Sequence, residues 1–411
     1  MKILIVNTSD TQGGAARAAY RLHRALLVEG MGSQMLVQSK SSDDFTVIGA
    51  STKLTKLLAT CRSLLDALPV LMYKNRTQTL FSPSWLPFSG MVKKINDLNP
   101  DVVHLHWICG GMLRIEDIAK IKAPIVWSLH DMWAFTGGDH YDEGAGNYLA
   151  LCGYCKVLGS DKANDISRWF FKRKQKTYAK KSNMTIVGLS SWLNDCSKSS
   201  TLLKVKAHIN LPNPIDTSIY LPLDKAAARD LLRLPQDKKL VLFGGMAATS
   251  DPRKGYKELS DALGLLKFDD IELVVFGGSS PKVAESFNFK THYLGQLYDD
   301  MTLRVLYSAA DVMVVPSIQE NLSNAIMESL ACATPVVAFD VGGNGDMVKH
   351  KENGYLARPF DTNDLAMGIE WILNAPNYNV LSASARNKVV REFDSRVVAK
   401  RYIKLYNGVI E

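Results

Sequence analysis

The stretch DVMVVPSIQENLSNAIMESLACATPVVAFDVGG, residues 311–343, reads as a buried strand, a polar loop, a helix and a second buried strand. DVMVVPS (311–317) and TPVVAFD (334–340) are apolar without polar alternation, as in strands covered on both faces. The segment between them predicts a helix from about Asn321. Parallel neighbours need such a crossover, so this is one βαβ unit of a parallel sheet.

The same rhythm runs outward. KLVLFGG (239–245) precedes a helix from about Tyr256 and the strand IELVVFGG (271–278). Near the N-terminus, the strand KILIV (2–6) leads through a polar turn ending in Gly13-Gly14 to a helix over 15–29 and a strand over 33–38. VVHLH (102–106), PIVWSLH (124–130) and MTIVGLS (184–190) add further strands. Leu211-Pro212-Asn213-Pro214 breaks the pattern. A chain of 411 residues exceeds one ordinary core. The predicted fold class is therefore α/β, with two Rossmann-like domains, 1–212 and 213–394, facing a central cleft. Residues 395–411 form an amphipathic helix that either caps the second domain or crosses back to the first.

Hydrophobic residues at 46% and charged residues at 22% exclude disordered and collagen-like classes. KILIV is too short for a signal peptide, and no run reaches the length of a membrane span, so a cytoplasmic protein is expected. Six cysteines in this length do not form a disulfide scaffold; Cys61, Cys109, Cys196 and Cys332 read as small core residues. The net charge of +8 is uneven: residues 1–212 hold 27 Lys+Arg against 16 Asp+Glu, the remainder 22 against 25. An anionic partner for the first half follows, whether anionic lipid or a diphosphate-bearing acceptor. Nucleic acid is not expected, because no recognition motif accompanies the charge.

Glu320 and Glu328 carry the chemistry of the opening stretch. A carboxylate accepts hydrogen bonds from two vicinal hydroxyls at once. Glu320 sits on the loop before the helix and Glu328 eight positions later inside it; at helical rise the two lie roughly 12 Å apart, about the span from a hexose to a ribose in a nucleotide sugar. Between them, the backbone N–H groups of Leu322, Ser323 and Asn324 at a helix N-terminus suit a diphosphate. Arg253-Lys254-Gly255 places two cations before a helix, where they can neutralise a departing diphosphate. The competing reading makes all four solvated surface charges.

ENLSNAIME resembles the E-x7-E signature of the retaining family-4 glycosyltransferases of GT-B fold, and DVMVVPS and SLACATPVVAFDVGG resemble its usual flanks. PNPID (212–216) resembles the interdomain segment of that family, and SLHDMWAFTGG (128–138) its bacterial capsule and exopolysaccharide (colanic-acid-type) subgroup. Ala333 stands where the family usually has Gly, and Asn321–Ser323 where it has Gly-Phe-Gly. The resemblance implies that Glu320 holds the donor sugar, Glu328 the ribose, and Lys254 with Arg253 the diphosphate. It gives His130, at the end of PIVWSLH, an orienting contact with the transferred sugar; a backbone-bonded structural histidine is the alternative. Gly13 and Gly14 then form a loop on the phosphate and acceptor side, with Asp10 as an acceptor neighbour. Gly278 and Leu297 lie in loops resembling the base-binding loops. By the same resemblance the expected donor is a UDP- or GDP-sugar and the expected acceptor an oligosaccharide or a lipid-linked saccharide.

Cys152-x-x-Cys155 with His140 nearby offers three ligands where a closed zinc site wants four, so it reads as a structural loop with free thiols. No Asp-x-Asp occurs, and no metal is expected. Leu54, Leu57, Leu58, Cys61, Leu64, Leu65, Leu68, Leu71 and Met72 follow helical spacing and read either as a core-packing stripe or as a face that meets a membrane. RWFFKRKQKTYAKK (168–181) is either a solvated basic face or a contact with anionic membrane, which would make the protein peripheral at the inner face of the cell membrane. A nucleotide-sugar 2-epimerase of the same fold is the alternative function.

Overall fold

The computed structural model describes residues 1–50, 52–245, 248–267, 270–277, 289–297 and 299–411. The chain divides into two compact units, Met1–Asn213 with Ala399–Glu411, and Pro214–Val398.

The first unit is built on a parallel sheet of β1 (Lys2–Ser9), β2 (Gly32–Ser39), β3 (Val47–Ala50), β4 (Val102–Leu105), β5 (Ile125–Leu129), β6 (Met184–Gly188) and β7 (Ala207–Asn210). Their order across the sheet is β3-β2-β1-β4-β5-β6-β7. The second unit holds β8 (Lys239–Gly244), β9 (Ile271–Phe276), β10 (Thr291–Tyr293), β11 (Val312–Val315), β12 (Val336–Phe339) and β13 (Gly354–Ala357), ordered β10-β9-β8-β11-β12-β13 and again parallel.

Central strands are buried through their length, as their unbroken apolar runs require: Leu240–Phe243, Val312–Val314 and Val336–Phe339 are all shielded from solvent. In each sheet the strand order reverses once, between β1 and β4 and between β8 and β11. Ligands of open α/β sheets bind outside the strand C-termini at such a reversal.

The helix predicted from Asn321 begins at Asn324 and runs to Ala331. Ser323 is its N-cap, its Oγ accepting from Ile326 N at 3.5 Å. The C-terminal helix Ser395–Ile410 turns Tyr402 and Tyr406 onto the first unit. Tyr406 Oη lies 2.7 Å from His104 Nδ1, and Tyr402 Oη 3.2 Å from Ser128 Oγ.

Two sequence expectations are corrected. Cys61 is exposed and Cys196 only half-buried, because their helices turn other residues inward. The six leucines of 54–68 do not pack into a core; all are exposed. The basic tract 168–181 is divided: Lys172, Lys176 and Lys180 are exposed, while its other basic residues are tied into the fold. Helix Ile166–Ala179 buries Phe170, Phe171 and Tyr178, Arg173 makes a two-point bond to Glu116 at 2.6 and 2.7 Å, and Lys181 donates to the Ile121 and Ala123 carbonyls at 2.7 and 2.9 Å. Lys174 is fully buried, bonded to the Trp133 and Thr136 carbonyls, and burial lowers its pKa to about 8.

Candidate active site

In the second unit, the loops leaving the two strands at the reversal meet. The loop after β8 ends in a 3-10 turn, Pro252–Lys254, and Gly255. The loop after β11 carries Glu320. Lys254 Nζ donates to Glu320 Oε2 at 2.9 Å. Their backbones are joined too, Ile318 N donating to Arg253 O at 2.9 Å. Gly255 makes this approach possible: a Cβ there would stand 1.8 Å from the Pro316 carbonyl oxygen, and its φ is +72°. Gly343 N donates to Glu320 O at 3.3 Å, bringing the loop after β12 to the same place.

Arg253 is turned elsewhere. Its Nε and Nη2 bind the Asp251 carboxylate at 3.1 and 2.7 Å. Burial opposes ionisation of Asp251, but these bonds outweigh it and hold its pKa below the usual carboxylate range.

Glu328 lies in the first turns of helix Asn324–Ala331 and is buried. Tyr307 Oη donates to its Oε2 at 2.9 Å, and the Tyr307 ring stands edge-on to Phe276 at the end of β9, with centroids 6.0 Å apart. Glu320 stands on the loop before the helix, as expected, but the loop runs to Ser323 and only 324–328 of the intervening stretch is helical, so a helical rise does not set the distance between the two glutamates. Leu322 and Ser323 precede the helix, so its first N–H groups belong to Asn324 and Ala325. Leu297 is half-exposed in the loop after β10; Gly278 lies outside the described residues. The neighbouring Gly277 packs backbone to backbone on the loop after β8, where a Cβ would stand 2.0 Å from Gly245 O.

In the first unit, Gly13 caps helix Gly14–Val28 with φ +95° and open space around it. Asp10 is corrected as an acceptor contact. It is fully buried, and its carboxylate accepts from Ser41 N and Ser42 N at 3.0 and 2.8 Å, tying the loops after β1 and β2 together. His130 follows β5, and its Nε2 lies 2.8 Å from His106 Nδ1. Burial lowers the pKa of His130 to about 4 and pushes His106 well below its ordinary value, so both rings are neutral near pH 7. The alternation His104, Leu105, His106 puts both histidines on one face of the β4 segment; that period of two was the unused signal for His106.

His140 does not join the cysteines. Its Nδ1 lies 2.6 Å from Asp131 Oδ2 and its Nε2 2.8 Å from Ser82 Oγ. Cys152 and Cys155 are buried thiols, and burial pushes the Cys155 pKa up to about 12. Among the described residues, no group of three or more His, Cys, Asp or Glu is placed to hold a metal ion.

Residues 237–375 match the family described as glycosyl transferases group 1. This segment contains Lys254, Glu320 and Glu328. Over 218 residues the chain is 29% identical to an uncharacterized glycosyltransferase of Methanocaldococcus jannaschii, covering 51% of this chain and 55% of that one. It is 29% identical to a D-inositol 3-phosphate glycosyltransferase of Thermobispora bispora, covering 76% and 71%. It is also 29% identical to the N,N'-diacetylbacillosaminyl-diphospho-undecaprenol alpha-1,3-N-acetylgalactosaminyltransferase of Campylobacter jejuni, covering 43% and 46%. The chain spans about half the length of the first curated relatives it matches. Among solved structures, sucrose-phosphate synthase from Thermosynechococcus elongatus aligns with a TM-score of 0.67 at 20% identity, over 99% of this chain and 98% of that one. Anabaena Alr3699/HepE in complex with UDP-glucose aligns with a TM-score of 0.67 at 15% identity, over 99% and 100%. The fold is the two-unit, parallel-sheet α/β fold of the GT-B glycosyltransferases.

Proposed function

We infer that this protein is a retaining glycosyltransferase. In this reading it moves a sugar from a UDP- or GDP-sugar to a saccharide or lipid-linked acceptor in cell-surface polysaccharide biosynthesis. The observation that carries the reading is the Lys254–Glu320 pair, built from the two strands at the sheet reversal. The family match over 237–375 supports it. So do the UDP-glucose named with one structural neighbour and the diphospho-undecaprenol in the name of one relative.

In this reaction the bond from the anomeric carbon to the diphosphate breaks, and a bond to the acceptor oxygen forms on the same face. The acceptor proton passes to the departing phosphate oxygen. Lys254 neutralises the charge that gathers there, aided by the N–H groups of Asn324 and Ala325, so no metal is assigned the task. Glu320 accepts from sugar hydroxyls and Glu328 from the ribose. Neutral His130 orients a sugar hydroxyl by a hydrogen bond. Arg253, held by Asp251, stiffens the turn that presents Lys254.

The test is incubation of the purified protein with single UDP- and GDP-sugars, with and without lipid-linked acceptors, followed by proton NMR. Release of nucleoside diphosphate with a new glycoside of unchanged anomeric configuration is expected. Conversion of the nucleotide sugar to an epimer without acceptor would instead support the 2-epimerase.

A further inference from the structure

Helix Lys53–Ala67 and the 3-10 turn Leu68–Met72 are inside out relative to an ordinary surface helix. A surface helix turns its apolar stripe to the core and its charges to water. Here Leu54, Leu57, Leu58, Leu64, Leu65 and Leu68, with Leu71 and Met72 beyond them, are 46–71% exposed.

The inward face holds Ala59, Arg62 and Asp66 instead. Arg62 donates to the Gly111 carbonyl at 3.0 Å and the Pro87 carbonyl at 3.1 Å. Buried Asp66 accepts from Ser84 N and Trp85 N at 3.2 and 3.1 Å, and Gln38 Nε2 donates to Ala59 O at 3.4 Å. The helix is thus pinned to the first unit by polar bonds, which leaves its leucines to face outward. Phe88, next to the Pro87 that receives Arg62, is 96% exposed beside the same helix. Apolar surface of this extent marks an interaction site.

Charge selects the partner. Asp66 is the one carboxylate in residues 51–90, and it is buried. Lys53, Lys56, Lys74 and Arg76 are exposed. A second copy docking face to face would set this cationic patch against itself, since a two-fold interface pairs each patch with its own image. An anionic leaflet supplies both an apolar layer and the opposite charge. Among the described residues no helix is long and apolar enough to cross a membrane, so this one would lie along the surface.

We propose that residues 53–72, with Phe88, form a docking surface for anionic lipid: the leucines enter the acyl boundary and Lys53, Lys56, Lys74 and Arg76 face the headgroups. The proposal rests on this helix alone and stands apart from the transferase reading. It places the apolar part of the lipid contact at 53–72.

The experiment is sedimentation of the full chain with phosphatidylcholine vesicles and with vesicles that also contain phosphatidylglycerol, at low and high salt. Two exposed-site variants, Leu57→Glu/Leu64→Glu and Lys53→Glu/Lys56→Glu, are compared, with thermal unfolding as the check on folding. The expected result is binding to the anionic vesicles, weaker at high salt, and reduced about tenfold or more in each variant while unfolding is unchanged. Absence of wild-type binding to anionic vesicles overturns the proposal. So does unaltered binding of the leucine variant. A leucine variant that turns a dimer into a monomer in sedimentation velocity, with vesicle binding unchanged, shows that the face pairs copies of the chain.

Discussion

Lys254 and Glu320, 66 residues apart in sequence, meet at 2.9 Å through loops that leave the two strands at the reversal of the second sheet. In the proposed function Lys254 meets the charge of the diphosphate and Glu320 the sugar hydroxyls. Lys254→Ala removes the cation and is expected to lower turnover on the order of a hundredfold, as for loss of a transition-state donor. Lys254→Arg should recover part of it. The check is steady-state nucleotide release, with circular dichroism to confirm the fold.

His106 has one ring nitrogen on His130 and the other, Nε2, buried without a partner. An unpaired buried acceptor is more readily tolerated than an unpaired donor. His106 therefore donates from Nδ1, which leaves His130 protonated on Nδ1. His106→Phe is expected to lower turnover on the order of tenfold, the worth of one well-placed hydrogen bond. Activity of both proteins with each nucleotide sugar checks it.

His130 and the neighbouring His104 set an acid limit. Burial holds His130 at about 4 and His104 at about 3 when folded, against an ordinary value of 6.5. Between these values the unfolded chain binds protons that the folded chain does not, so stability falls as pH drops. It is fully present above pH 6.5 and lost progressively toward pH 4. Differential scanning calorimetry across that range is expected to show Tm falling by several degrees, with a smaller fall in the His104→Asn/His130→Asn protein measured against its own neutral-pH value.

Tyr307 bonds the Glu328 carboxylate from within the core. Glu328→Gln is expected to raise the donor KM about tenfold by weakening charge-assisted bonds to ribose hydroxyls. Tyr307→Phe should act in the same direction, less strongly. A deoxyribose donor distinguishes the role, since the loss in Glu328→Gln should shrink with it.

Two small residues report on the backbone. Gly255→Ala would force a Cβ to 1.8 Å from the Pro316 carbonyl at φ +72°, and should destabilise by more than about 1 kcal/mol. Ala333 has φ +61°, a left-handed conformation that costs a non-glycine residue roughly 1 kcal/mol. Ala333→Gly is therefore expected to stabilise slightly. Urea unfolding midpoints of both variants check the opposite signs.

The central strands were legible because burial on both faces leaves unbroken apolar runs such as Leu240–Phe243. The four strands missed, β3, β7, β10 and β13, are the edge strands of the two sheets, three or four residues long. Strands this short carry no such run, and β3, β7 and β10 are also less buried. Lys254 and Glu320 were legible because loop positions after buried strands can be read from pattern. The Asp10 error arose because a carboxylate satisfied by Ser41 N and Ser42 N looks no different in sequence from an exposed one. The leucines of 54–68 left two readings open for a related reason: helical spacing defines a face but not the direction it points.

The most direct measurement is thermal unfolding with nucleoside diphosphates and nucleotide sugars, for wild type and Lys254→Ala. A donor at a hundred times its Kd should stabilise the wild type by about 2.7 kcal/mol. The account predicts that shift for a UDP or GDP series and a much smaller one for Lys254→Ala. An equal shift in both proteins, or none with any nucleotide sugar, would contradict it.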